Sequence, residues 1–132
     1  MRDEKVSFYS EGVKLAGVLH LPNQDDGKPK PAIVQGPGFL GVKEAAIYLR
    51  WYEKFCEAGY AALAFDYRGW GDSEGNERGA VIPMDQVQDI RNAITYLQTR
   101  DDVNPNRIGG FGSGGTGGGN AIYVAAVDPR IK

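Results

Sequence analysis

The alternation of apolar and polar residues predicts strands in the first half of the chain. Residues 5–10 and 13–21 each have a strand pattern, and Glu11-Gly12 between them is a turn sequence, so the two form a predicted β-hairpin. Residues 31–35 are a short apolar run that ends at a Gly-Pro-Gly turn. Residues 60–67 are almost continuously apolar, which is the pattern of a parallel strand buried on both faces.

Three further segments show helical spacing. The first, residues 42–59, ends at a glycine suited to close a helix, and its recurring positions are Ala45, Leu49, Tyr52 and Cys56. The second, residues 83–99, has the clearest stripe, formed by Val87, Ile90, Ile94 and Leu97. After a short strand at residues 107–112, a third helix is predicted from about residue 117 to 127, with the stripe Ile122, Ala125 and Ala126.

A hairpin followed by alternating strands and helices predicts an α/β fold. In such a fold a mostly parallel sheet carries helices on both faces. We find no internal repeat and no linker, and 132 residues suffice for one domain with one core. The net charge of −2 and the lack of a basic stripe argue against nucleic acid as a partner.

The remaining composition favours a protein of the reducing cytoplasm. The start of the chain is charged and has no apolar signal region, and no run of about eighteen apolar residues exists for a membrane span. Cys56 is the single cysteine, so neither an internal disulfide nor a cysteine metal cluster is expected.

Glycine-rich turns follow two of the predicted strands and allow a nucleotide-binding interpretation. Residues 36–41 and 110–115 both match G-x-G-x-x-G, and Asp66 ends the next strand, where a ribose-binding acid would stand. Against this interpretation, Pro37 removes one of the backbone N–H groups that such a loop uses to bind phosphate. The preceding hairpin is also atypical of a dinucleotide-binding domain.

Three sequence blocks together favour a hydrolase. They are GPGFLGVKE at residues 36–44, FDYRGWGDSEG at 65–75 and RIGGFGSGGTGGGN at 107–120. In order and spacing they resemble the α/β-hydrolase family, particularly its intracellular esterase, dienelactone-hydrolase-like and acyl-peptidase-like branches. The resemblance covers residues 13–132 and implies the strand order 1-2-4-3-5. It also implies hydrolysis of an ester or amide by acyl transfer through a covalent intermediate, with no metal or organic cofactor.

The resemblance assigns an oxyanion hole to two backbone amides. One is the Phe39 N–H, in a turn where Pro37 replaces the histidine typical of the family, and the other is the N–H after the nucleophile, here Gly114. Fixed donors in a dry site stabilise the charge of a tetrahedral intermediate. The alternative is that residues 36–41 form only a tight turn, with Phe39 in the core.

The nucleophile position is where this sequence departs from the family. Aligned on Gly112, the nucleophile slot is occupied by Gly114, and aligned on the end of the glycine run it is Gly115. Ser113 is our preferred nucleophile, on a turn remodelled by one residue, and Thr116 is the alternative. A third possibility is that the nucleophile is absent, and Ser113 would then only cap the following helix.

The general base and its orienting acid are missing from the pattern. The only histidine, His20, lies in the second strand and is expected to be structural. The family supplies its acid and histidine after the fifth strand. We therefore expect residues 1–132 to be the N-terminal part of a single α/β-hydrolase domain, with the later strands absent and the fifth strand left as an apolar sheet edge. A completing polypeptide or a missing C-terminal half would supply the acid and the base.

Two other functions stay open. The chain could be a pseudo-hydrolase, or a half-domain whose glycine-rich elbow binds an anion or a partner. Otherwise the substrate would be a small ester or amide, with no membrane involved.

Several polar residues are assigned structural roles. Lys43 and Ser73 are expected to support the loops, Arg68 is expected to pair with Asp72, and Trp70 is placed near the mouth of the site. Three acidic residues are expected on solvated helix faces: Glu53, Asp85 and Asp89.

Overall fold

The computed structural model describes residues 1–24 and 26–132. In these residues an N-terminal hairpin of two strands is followed by three strands that alternate with three helices. The strands are β1 (Arg2–Ser10), β2 (Val13–Leu21), β3 (Lys30–Gly36), β4 (Ala61–Phe65) and β5 (Val103–Gly112). The helices are α1 (Ala46–Glu57), α2 (Pro83–Gln98) and α3 (Gly114–Val127).

One five-stranded sheet has the order β1-β2-β4-β3-β5, which confirms the predicted strand order and the α/β fold class. β1 pairs with β2, and β2 with β4, in antiparallel fashion, whereas β3 is parallel to both β4 and β5. The hairpin turn uses positive φ angles at Glu11 (49°) and Gly12 (82°), as a two-residue hairpin turn of the primed type requires.

The core lies on both faces of the sheet. All five residues of β4 are buried, which confirms the expectation drawn from its continuous apolar sequence. Leu63 and Phe65 face a cluster that includes α2 and α3, and Ala62 and Ala64 face α1. The predicted stripe of α2 is also confirmed, because all four of its residues are buried. No helix among the described residues is long and apolar enough to cross a membrane.

The predicted inner face of α1 is confirmed at Tyr52 and Cys56 but is wrong at Leu49. Tyr48, Tyr52 and Cys56 are buried at i, i+4 and i+8, whereas Leu49 is 40% exposed. The Tyr52 hydroxyl donates to Gln35 of β3, and the Tyr48 hydroxyl accepts the Gly38 N–H of the turn after β3, which explains how polar-tipped residues occupy the inner face. Gly59, at a φ of 86°, does follow the end of the helix as predicted.

The prediction for α3 is wrong in both its start and its inner face. The helix begins at Gly114 rather than near residue 117, and β5 begins at Val103 rather than at 107. The three residues of the predicted stripe, Ile122, Ala125 and Ala126, are all exposed. The helix turns Gly117, Asn120 and Val124 inwards instead. Glycine on this face allows the helix backbone to approach the sheet more closely than alanine or isoleucine would permit.

β5 is the last strand of the sheet order, as expected for the fifth strand. A single parallel bridge joins its residue Ile108 to Ile131, and the Lys132 N–H donates to the Ile108 carbonyl oxygen at 3.0 Å. The segment after α3 therefore lies alongside the outer edge of β5.

Candidate active site

Two glycine-rich turns meet at the carboxyl edge of the parallel strands. The first follows β3 and the second joins β5 to α3. A Cβ atom added at Gly38 would lie 2.9 Å from the Ser113 carbonyl oxygen, and one added at Gly117 would lie 2.5 Å from the Gly36 carbonyl oxygen. The Ser113 N–H also donates to the Gly36 carbonyl oxygen at 3.4 Å. The structure therefore brings the predicted oxyanion loop and the predicted elbow into direct backbone contact.

The first turn, residues 38–41 (the donor turn), is held in place by a hydrogen bond within its own backbone and by a second hydrogen bond to α1. The Gly38 N–H donates to the Tyr48 hydroxyl at 2.9 Å, and the Gly41 N–H donates to the Gly38 carbonyl oxygen at 2.9 Å. Phe39 is 65% exposed, so the alternative of a core Phe39 is wrong. Within the described residues its amide has no hydrogen-bond acceptor. This donor turn thus leaves the Phe39 N–H available to a ligand.

The second turn, residues 112–117 (the elbow), has a glycine at its apex. Ser113 is extended (φ −104°, ψ 140°) and makes no side-chain capping hydrogen bond, so the capping alternative is wrong. Gly114 has a φ of 63° and open space around an added Cβ, whereas a Cβ at Gly112 would overlap the Gly117 carbonyl oxygen. The strained residue of a strand-to-helix turn is the one that projects from it. That residue is Gly114, with Ser113 just before it and the half-buried Thr116 on the first helical turn.

The backbone N–H groups of the elbow are suited to donate hydrogen bonds to a negatively charged group. The first N–H groups of a helix have no partner within the helix, and the helix dipole adds a partial positive charge there. Gly114 and Gly115 supply the first two of these groups in α3, and both residues are exposed. Gly114 as an oxyanion donor, and Ser113 or Thr116 as a nucleophile, remain predictions.

A buried ion cluster ties the donor turn to the loop after β4. The Asp66 carboxylate, fully buried, accepts the Lys43 N–H at 2.7 Å, the Lys43 ammonium at 2.8 Å and the Asp72 N–H at 3.0 Å. Lys43 also pairs with Asp72 at 2.6 Å. Burial opposes the charge of Lys43, but its hydrogen bonds to the two carboxylates outweigh burial and raise its pKa. The structural role expected of Lys43 is confirmed by these contacts.

The ion cluster also bears on the nucleotide-binding interpretation. Each oxygen of the Asp66 carboxylate is already bonded to groups of this chain. A Cβ at Gly71 would overlap that carboxylate, so the loop closes directly over it. Asp66 is therefore not placed to bind a ribose hydroxyl.

The expected Arg68–Asp72 pair is wrong. Arg68 instead bonds the Asp89 carboxylate at 2.7 Å and Glu11 at 2.9 Å, anchoring the loop to α2 and to the hairpin turn. Asp89 is fully buried, so its assignment to a solvated helix face is also wrong. A charge pattern along one helix could not reveal a partner 21 residues away.

Sequence reasoning missed a buried polar network beneath the elbow. The Asn120 side-chain amide donates to Gln86 at 2.9 Å and to the Tyr67 hydroxyl at 3.4 Å, joining α3 to α2 and to the end of β4. A Cβ at Gly36 would lie 2.6 Å from that hydroxyl. The sequence feature that could have indicated this network is Asn120, a polar residue on a helix face otherwise formed by glycine and valine.

The histidine lies away from the elbow, as expected. His20 pairs across the sheet with Ala62, near the amino end of β4, and its Nδ1 lies 2.8 Å from Asp3. Its ring stacks on Tyr52 with centroids 4.5 Å apart. Among the described residues, no three His, Cys, Asp or Glu side chains are grouped as a metal site.

The remaining loop residues have structural contacts. Ser73 accepts the Ala16 N–H and donates to the Asp66 carbonyl oxygen, which confirms its structural role. The Trp70 indole N–H donates to the Ala80 carbonyl oxygen at 2.7 Å, so its polar tip is used within the loop.

Residues 27–130 match the family model described as serine aminopeptidase, S33. The chain belongs to this family of α/β hydrolases. It is 36% identical over 126 residues to the quorum-quenching protein AidA of Acinetobacter baumannii strain MDR-ZJ06, a match that covers 96% of this chain and 40% of AidA. It is 36% identical over 139 residues to the thiohydrolase aneE of Aspergillus aculeatus, covering 99% of this chain and 42% of that protein.

Solved structures agree with the family assignment. The hypothetical protein PA2218 from Pseudomonas aeruginosa superposes with a TM-score of 0.90 at 36% identity, covering 99% of this chain and 40% of PA2218. The α/β hydrolase GrgF from Penicillium sp. sh18 gives 0.87 at 28% identity, covering 99% and 44%. This α/β-hydrolase chain thus spans about two fifths of the length of the relatives it matches.

Proposed function

We propose that the carboxyl edge of the sheet binds the acyl group of a small ester or amide and takes part in its hydrolysis by acyl transfer. The observation that supports this proposal is the backbone contact between the donor turn and the elbow at Gly38 and Ser113. In this proposal the amide of Phe39, next to Gly38, and the first amides of α3, next to Ser113, act on the same acyl oxygen.

In this proposal the amides act on the charge that develops during attack. When a nucleophile adds to the acyl carbonyl, the oxygen becomes an oxyanion, and N–H donors already fixed in place stabilise it without reorganising. Phe39 supplies one donor and Gly114 the other. Both turns are fixed by backbone contacts, so the donors keep their separation whichever side chains surround them.

The Ser113 hydroxyl is the proposed nucleophile and Thr116 the alternative. A hydroxyl needs a base to accept its proton, and the base needs an orienting acid. His20 cannot serve, since it is buried, paired with Asp3 and at the far end of β4. We propose that residues 1–132 form the N-terminal part of one hydrolase domain, and that a polypeptide outside them supplies the base and the acid.

A second candidate is a pseudo-hydrolase, and one observation favours it. The residue at the apex of the elbow is Gly114, which has no side chain with which to attack. In that case the same amides would bind a carboxylate or an acidic group of a partner without turning it over.

A fluorophosphonate probe distinguishes the two candidates, because it reacts covalently only with an activated hydroxyl. The purified protein, with any polypeptide that co-purifies, is treated with the probe and its intact mass is measured. When the polypeptide that supplies the base and the acid is present, we expect one probe adduct on the 14.3 kDa chain. Ser113→Ala should abolish the adduct and Thr116→Val should retain it.

Other labelling patterns would contradict the assignment of Ser113 as the nucleophile. If the native chain is unlabelled but Gly114→Ser becomes labelled, position 114 is the point of attack and the natural protein is the pseudo-hydrolase. The added side chain meets open space, and the φ of 63° at this position imposes the backbone strain that is typical of a nucleophile on a strand-to-helix turn. Labelling that survives Ser113→Ala but not Thr116→Val would assign the nucleophile to Thr116.

A further inference from the structure

Leu40 has a strained backbone conformation, and burial of its side chain does not offset the energetic cost of this strain. Its φ of 57° lies in the left-handed region, which a bulky residue rarely adopts. Its side chain is 63% exposed, so little apolar surface is buried in return. A glycine or asparagine would fit the same turn with less strain. Strain retained in this way by an exposed apolar residue points to a contact made with a ligand.

The neighbouring residue shows the same exposure. Phe39 is 65% exposed, and its backbone N–H is the proposed oxyanion donor. Two large apolar side chains are therefore attached directly at the point where an acyl carbonyl oxygen would be bound. The turn is held against the elbow, because Gly38 lies against the Ser113 carbonyl oxygen and donates a hydrogen bond to the Tyr48 hydroxyl.

The charge around this turn favours an uncharged acyl group. Residues 36–41 contain no charged side chain. The nearest cation along the chain, Lys43, is buried and neutralised by Asp66 and Asp72. The turn thus offers a ligand two apolar side chains and backbone amides only.

We propose that Phe39 and Leu40 form the acyl-specificity element of the site, selecting substrates whose acyl group is an apolar chain. This inference rests on the proposed function, because it requires the acyl oxygen to bind at the Phe39 amide. The carbonyl oxygen binds the amides of the two turns, and the hydrocarbon chain lies across the two exposed side chains.

Binding of simple carboxylates tests the inference without requiring turnover. The ¹⁵N-labelled chain is titrated with acetate, butyrate and hexanoate, and the backbone amide shifts of Phe39, Leu40, Gly114 and Gly115 are followed by NMR. A fully buried methylene strengthens binding about fourfold. Because this turn is open on one side, we expect about a twofold to threefold gain in affinity per methylene from acetate to hexanoate.

Two variants and a matched control locate the effect. Leu40→Asn tolerates the left-handed backbone, so it should fold normally, bind acetate as before and lose most of the chain-length gain. Phe39→Ser should also reduce the gain. Leu49→Asn, which changes an exposed leucine on α1, should leave it unchanged.

The outcomes separate this inference from the proposed function. If all three carboxylates shift the four amides with equal affinity, or if Leu40→Asn keeps the chain-length gain, the specificity element is refuted while acyl binding stands. If no carboxylate shifts these amides, the proposed function itself fails. Hexanoate shifts centred elsewhere on the protein would also overturn the inference.

Discussion

Replacing Gly117 by alanine should separate the two turns of the candidate site. Gly117 lies on the inner face of α3, and an added Cβ would lie 2.5 Å from the Gly36 carbonyl oxygen and 2.7 Å from that of Pro37. Both neighbours are backbone atoms, so no rotamer change can relieve the overlap. Either α3 moves away from the end of β3, or the turn after β3 is displaced.

The expected magnitude follows from two opposing terms. Alanine in a helix interior is favoured over glycine by about 1 kcal/mol. Overpacking costs about 1–3 kcal/mol where side chains can adjust, and the cost should reach the upper end or beyond where only backbone can move. We therefore expect Gly117→Ala to lower the free energy of unfolding by about 1–3 kcal/mol.

Gly119→Ala is the matched control on the same helix. An added Cβ at Gly119 has no heavy atom within 4 Å, so only the propensity term applies and this variant should be stabilised by about 1 kcal/mol. Urea unfolding followed by circular dichroism gives both values. With an m-value of about 1–3 kcal/mol/M, the two midpoints should differ by roughly 1–4 M. Equal midpoints would refute the argument that the turns touch through glycine.

Two further predictions concern the ion pairs. Asp66→Asn leaves the buried Lys43 ammonium with only the exposed Asp72 and Glu44, so we expect a loss of about 2–4 kcal/mol in urea unfolding. The control Asp72→Asn should cost less than about 1 kcal/mol, and equal losses would argue against Asp66 as the centre of the cluster. Hydrogen bonding to Arg130 lowers the pKa of the buried Asp128, so its stabilising contribution is complete above the unfolded-state pKa near 4 and is lost as the pH falls below it. Urea midpoints measured from pH 7 to pH 2 should fall less steeply for Asp128→Asn than for the native chain.

The fold was predictable because its signals are local or come from ordered sequence blocks. The stripe of α2 and the Glu11-Gly12 turn depend on residues close in sequence, and both are found as predicted. The strand order was inferred from three blocks whose order along the chain resembles a known family.

Apolar periodicity did not reveal Tyr48 on the inner face of α1 or Gly117 on the inner face of α3. Tyr48 is amphipathic, and its burial depends on a hydroxyl contact with the backbone N–H of Gly38. Gly117 has no side chain, so its burial leaves no apolar signal in the sequence. In both helices the residue on the inner face is determined by a contact with neighbouring backbone. At Tyr48 the contact is the hydrogen bond from Gly38, and at Gly117 it is the close approach of the Gly36 carbonyl oxygen.

Long-range polar contacts were the least accessible part of the site. Lys43 and Asp66 are 23 residues apart, and Asn120 and Gln86 are 34 apart. A single sequence gives the residue types but not the pairs, which is why Arg68 was assigned the wrong partner. Alignment of the sequence left Gly114 and Gly115 as alternatives for the nucleophile slot, and the φ angle of 63° at Gly114 was needed to identify the strained residue of the elbow.

The backbone contact between the two turns has a consequence for how this protein can change over time. The positions of the proposed amide donors are set by glycine packing at Gly38 and Gly117, whereas the proposed acyl-contacting groups are the exposed side chains of Phe39 and Leu40. Substitutions at these two exposed residues can therefore alter which molecule is accepted while leaving the donor geometry intact. In the proposed site, ligand preference can change through single substitutions, whereas the glycines that set the backbone geometry have to be kept.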